Sequence, residues 1–155
     1  MPSYFPPGRS LKLPNYFSVD VPMTSATWNT VAAHEIITVT GSVHIQMILE
    51  ITGTITSVGG NATLILGDET TTNSLIASTD AEALAAGEWW ADATATRTII
   101  DDIRIAGLDF IVSGKDIGYT IGTEAFNGGN IIFHVYWEEI GNPGGTCVAG
   151  AGGVL

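Results

Sequence analysis

The sequence predicts an all-β protein: a jelly-roll-like β-sandwich with one short helix and an extended N-terminal arm. Three observations carry that expectation. Apolar and polar residues alternate at period two through much of residues 35–140. About eight such runs are separated by breaks rich in Gly, Asn and Asp, the spacing of strands in a sandwich rather than in a βαβ fold. Five of the six prolines fall at positions 2, 6, 7, 14 and 22, where they remove backbone donors and favour extended chain.

Residues 1–30 therefore read as an arm, 31–141 as the sandwich and 142–155 as a Gly-rich tail without period. The arm carries Tyr4, Phe5, Leu11, Leu13, Tyr16 and Phe17, large side chains that need something to lie against, together with Arg9 and Lys12. It either folds back on its own domain or reaches a neighbouring subunit; these eight residues are the expected partner-binding set.

Within the body, Glu35 to Thr40 is a β-branched run, and Gly41 makes a bend before Ser42 to Ile51. There Val43, Ile45, Met47, Leu49 and Ile51 alternate with His44, Gln46, Ile48 and Glu50, the pattern of a half-buried strand. The β pattern continues to Val58. Gly59-Gly60-Asn61 supplies a hairpin signal before Ala62 to Leu66. A short strand is expected over Ser74 to Ser78. One helix is expected over Ala81 to Ala86, capped by Thr79 or Asp80, stopped by Gly87 and anchored by Leu84, Trp89 and Trp90. Arg97 to Ile105 and Leu108 to Ser113 are further strands. After the turn Gly114-Lys115-Asp116, Ile117 to Thr123 pairs back, and Gly118 and Gly122 leave a flat strip for another backbone. Asn127 to Asn130 reads as a turn and Ile131 to Ile140 as the last long strand. Val43, Ile45, Met47, Leu49, Phe110, Val112, Ile131, Phe133, Val135 and Trp137 should form one core between two sheets.

At 155 residues, one domain is expected. With 45% apolar and only 14% charged residues, the bulk of the chain should be ordered, and part of its surface should face another protein. The net charge of −11 repels phosphate backbones and speaks against a sequence-independent nucleic-acid binder. Cys147 stands alone, so neither an intrachain disulfide nor a Cys-based zinc site can form. No secretory signal or membrane-spanning run is recognised, so a soluble protein made inside a cell is expected.

Candidate chemistry is sparse. His34, His44 and His134 lack metal-ligand spacing, and no GxSxG, P-loop or GxGxxG occurs. Asp101-Asp102 and Glu138-Glu139 point to opposite faces of their strands, so neither pair can flank one bond. His134 and Glu138 share a face, but roughly 13 Å of strand separates them. Cys147 has no basic neighbour in sequence to lower its pKa. Trp89 and Trp90 could line a ligand or an interface, for example as a sugar-stacking platform with Trp137, although packing accounts for aromatic residues equally well. No catalytic residue, metal or cofactor is expected.

The segments NATLILGD (61–68), NSLIAST (73–79), ALAAGEWWAD (83–92) and NGGNIIFHVYW (127–137) resemble a group of small bacteriophage virion proteins. These share an alanine-rich turn followed by an acidic residue and Trp, and a closing Gly–aromatic strand. The resemblance covers roughly residues 36–140. It implies a structural role among head and tail components and brings no catalytic residues.

The expectation is thus a non-enzymatic structural protein of a virus particle, a capsid decoration (cement) or minor capsid protein. Its partners would be the major capsid protein or other virion subunits, with self-association as a homo-oligomer, a trimer favoured. It would be found in the virion, assembled in the host cytoplasm, without nucleic-acid or membrane partners. The alternatives are a tail or head-fibre component, a carbohydrate-binding module using Trp89 and Trp90, and more distantly a hydrolase.

Overall fold

Period-two alternation builds the sheets. In β3 (Ser42–Ser57), Val43, Ile45, Met47, Leu49 and Ile51 are at most 2% exposed, while His44, Gln46, Ile48 and Glu50 occupy the other face. Burying each such apolar side chain stabilises the fold by about 1.5–3 kcal/mol. The computed structural model describes residues 15–93, 107–141 and 144–155. The other strands there are β1 (Asn15–Pro22), β2 (Ala33–Thr40), β4 (Thr63–Asp68), β5 (Ile76–Asp80), β6 (Leu108–Ser113), β7 (Ile117–Gly122), β8 (Phe126–Glu139) and β9 (Thr146–Ala149). They form two antiparallel sheets of order β1-β8-β3-β6 and β5-β4-β7-β2-β9, packed as a β-sandwich.

The pairing is nested: β1 pairs with β8, β2 with β7, β3 with β6, and β4 with β5. Apart from β4 and β5, every strand is followed by one in the opposite sheet. Gly41, at φ +70, makes the corner from β2 to β3, and a Cβ there would lie 2.9 Å from Gly145 Cα. In β2 a bulge between Glu35 and Ile37 shifts the phase, so His34 and Ile36 point inward before it and Ile37 and Val39 after it. Tyr119 on β7 stacks on Phe133 on β8, with centroids 6.1 Å apart, and joins the two layers.

Eight of the ten expected core residues are buried; Phe110 and Trp137 are partly buried and pack against that cluster. The close approach expected at Gly118 is internal: a Cβ there would collide with the His34 carbonyl of neighbouring β2.

Several local expectations are corrected. Gly59-Gly60-Asn61 and Gly114-Lys115-Asp116 are not hairpins, because the strands that they join lie in different sheets. Their residues permit the reversal (Gly60 is at φ +81, Gly114 at φ +58), but the turn does not choose the partner. Asn127 to Asn130 is no turn either. It lies inside β8, where register shifts against β3 and Gly129 at φ +111 mark an irregular, bulged stretch.

The expected helix contracts to one 3₁₀ turn, Ala81–Ala83, capped by Asp80. A two-turn segment nucleates poorly, and the chain after it bonds instead to β3. Gly87 N–H donates to Ile51 O at 2.8 Å, Ile51 N–H to Glu88 O at 2.9 Å and Trp90 N–H to Leu49 O at 3.0 Å.

Both ends of the domain division also change. Residues 15–22, assigned above to the arm, form β1 along β8 and bury Val19 and Val21. The tail contributes β9, which extends the second sheet beside β2. The strand expected over Arg97 to Ile105 falls wholly within 94–106, outside the described residues.

Candidate functional site

The outer face of the β1-β8-β3-β6 sheet gathers the polar and aromatic side chains that the alternation leaves off the core. Register places Tyr16, Tyr136, Gln46 and Asp109 in one row across the four strands. Glu138, His44 and Ile111 form the row on one side. Ser18, His134 and Ile48 form the row on the other, followed by Asp20, Ile132, Glu50 and Trp89. Trp89 joins this face because Gly87 to Trp90 runs along β3 beyond the end of β6.

Two histidines tie the rows together. His44 has Nε2 at 2.6 Å from Asp109 Oδ1 and Nδ1 at 3.0 Å from Glu138 Oε1, linking β3 to β6 and β8. Only the imidazolium can donate to both. The bond to Asp109, then that to Glu138, raises the His44 pKa above its ordinary 6.5 against the opposing effect of burial. The same His44 bond, with the Gln46 amide 3.2 Å from Oδ2, holds the Asp109 carboxyl below its ordinary range. His134 on β8 lies 2.9 Å from Glu50 Oε2 through Nε2 and 3.0 Å from the Tyr16 hydroxyl through Nδ1. In the neutral ring, Nε2–H donates to Glu50 and Nδ1 accepts from Tyr16.

Beside this network an open hollow of about 460 Å³ is lined by Gln46, Met47, Ile48, Gly107, Leu108, Asp109 and Tyr136. A second hollow, about 150 Å³, adjoins it at His44, Gln46, Tyr136, Trp137 and Glu138. Tyr16 and Tyr136 pack together with ring centroids 4.8 Å apart, and Tyr16 is 52% exposed.

The residues singled out from sequence are dispersed. Tyr4, Phe5, Arg9, Leu11, Lys12 and Leu13 lie outside the described residues. Tyr16 stands on the outer face, whereas its neighbour Phe17 packs against the core. Trp89 and Trp90 do not make one platform. Trp90 is 1% exposed between the sheets and donates from Nε1 to Thr79 Oγ1 at 3.0 Å, while Trp89 faces His134 on the outer surface. Adjacent residues of extended chain point to opposite sides, which separates them. Trp137 packs against the core rather than joining either.

His34 is buried, with Nε2 2.8 Å from the Thr30 carbonyl. Cys147 is buried as well, and desolvation pushes its thiol up to about 12, far from a nucleophile's range. Among the described residues, no three His, Cys, Asp or Glu side chains converge as a metal site.

Gln46, Asp109 and Tyr136 were not anticipated as a group. The available signal is the polar side of the period-two pattern, where His44 and Gln46 of β3 and His134 and Tyr136 of β8 supply imidazole, amide and phenol. No family model, curated protein or solved structure matches the chain.

Proposed function

We propose that this chain is a non-enzymatic structural component of a virus particle, a capsid decoration or minor capsid protein. The observation that carries this reading is the strand wiring. Nested pairing of β1 with β8, β2 with β7, β3 with β6 and β4 with β5 is what results when one long antiparallel hairpin rolls into a sandwich. It supports reading the fold as a jelly roll, an architecture recurrent in viral capsid and lectin domains.

Because a fold alone does not assign a function, the composition matters too. Among the described residues Lys115 is the one Lys or Arg, against 14 Asp and Glu. Residues 1–14 carry Arg9 and Lys12 with Tyr4, Phe5, Leu11 and Leu13, and no carboxylate side chain. A cationic, aromatic segment attached to an acidic sandwich suits a contact with a neighbouring subunit, with aromatic anchors and charge complementarity across it. Closed symmetry favours a homo-oligomer, with a trimer as the reading for a three-fold position on a shell. A tail or head-fibre position differs only in where on the particle the protein sits.

The test is co-sedimentation of purified protein with particles that lack it. The full chain should pellet at saturable stoichiometry, and a chain without residues 2–13 should bind at least about tenfold more weakly. A full chain that stays in the supernatant overturns the proposal.

A further inference from the structure

We propose that the hollow beside Tyr136 on the outer sheet face is a binding site for a neutral saccharide. Its volume of about 460 Å³ falls in the range of small-ligand sites, roughly 300–1,000 Å³. The lining combines two kinds of surface. Tyr136, Ile48 and Leu108 offer an aromatic ring and aliphatic groups, against which the C–H face of a pyranose can pack. Gln46 and Asp109 supply an amide and a carboxylate for the hydroxyl groups along its edge.

These polar groups are held in place before any ligand arrives. Asp109 accepts from His44 at one oxygen and from Gln46 at the other, at 2.6 and 3.2 Å, and each oxygen keeps a further lone pair. A separate, narrow gap that shares Ile48 and Leu108 with the hollow is lined by Trp89, whose buried Nε1–H has no hydrogen-bond partner among the described residues.

Charge narrows the ligand class. The face presents Asp20, Glu50, Asp109 and Glu138, with no Lys or Arg among its described residues. Sialylated, sulfated and phosphorylated sugars would meet repulsion from these carboxylates. Carboxylates, an amide and a phenol suit the hydroxyls of an uncharged sugar.

The site is independent of any position on a particle, and its test needs only the full chain. An array of neutral, sialylated and sulfated glycans should give hits confined to neutral structures, and the strongest should titrate by calorimetry. Gln46→Ala and Tyr136→Ala should each weaken that titration at least tenfold. Gln46 is exposed, so Gln46→Ala should leave the circular dichroism and melting curve unchanged. Tyr136→Phe, which keeps the ring, should retain more affinity than Tyr136→Ala. An array without neutral hits, hits confined to anionic glycans, or affinity unchanged in both alanine variants would overturn the assignment.

Discussion

His44 Nε2 lies 2.6 Å from Asp109 Oδ1, a cross-strand bond between β3 and β6 that joins two residues 65 positions apart. Its strength depends on both partners being charged, which fixes the pH range in which it stabilises the sheet. The His44 pKa is raised, so its contribution is fully present below the unfolded value near 6.5 and fades as pH climbs through the higher folded value. Asp109 is depressed, so its contribution is lost only as pH falls through its own lowered folded pKa. The melting-temperature gap between wild type and His44→Gln should therefore be larger at about pH 5.5 than at about pH 9. A gap that is constant across that range contradicts this.

Asp68 should be the most acid-sensitive hinge of the β4–β5 hairpin. Burial alone would push its carboxyl up, but the Thr70 amide, the Ser74 hydroxyl, the Thr71 amide and Lys115 together bring it down to about 2. Its contribution is present above the ordinary value of 3.8 and is lost as pH falls through about 2. At neutral pH, Asp68→Ala should destabilise the fold by about 1–2 kcal/mol in urea unfolding, as removal of a capping carboxylate does. Hydrogen exchange should speed up first at Thr70, which loses its acceptor, and less at Thr71, which keeps the Asp68 carbonyl.

Thr79→Val should cost more than its near-equal volume suggests. Thr79 Oγ1 accepts from Trp90 Nε1–H between the sheets, and the substitution strands a buried indole donor. A loss of about 1–3 kcal/mol is expected by denaturant titration. A change below about 0.5 kcal/mol would mean that the bond is dispensable.

The position of β1 makes two N-terminal deletions diverge. Removing residues 2–13 spares β1, so the sandwich should melt much as the full chain does. Removing 2–22 takes away the edge of the first sheet and the buried Val19 and Val21, and should unfold the protein or sharply lower its melting temperature. Equal stability of the two truncated chains would contradict the pairing of β1 with β8.

The parts of the fold that alternation alone determines were legible. β3 and β8 expose their apolar faces at period two, and β6 follows the expected bounds Leu108 to Ser113. Pairing was not legible, because Gly60 and Gly114 permit a reversal without choosing the sheet that receives the next strand. Glycine in Asn127 to Asn130 signalled an unusual backbone but not whether it was a turn or a bulge. β9 has only four residues and acquires its pattern only beside β2, so composition hid it. The outer-face network escaped for a related reason. His44 meets Asp109 and Glu138, and His134 meets Glu50 and Tyr16, through register that no local spacing encodes.

The most direct measurement of the proposed structural role is cryo-electron microscopy of purified particles from cells that make this chain, with quantitative mass spectrometry of the same sample. A particle component should appear at a fixed copy number, and the two-sheet sandwich should fit density repeated at symmetry-related positions. Absence of the chain from purified particles, with all of it in the free fraction, would contradict the proposal.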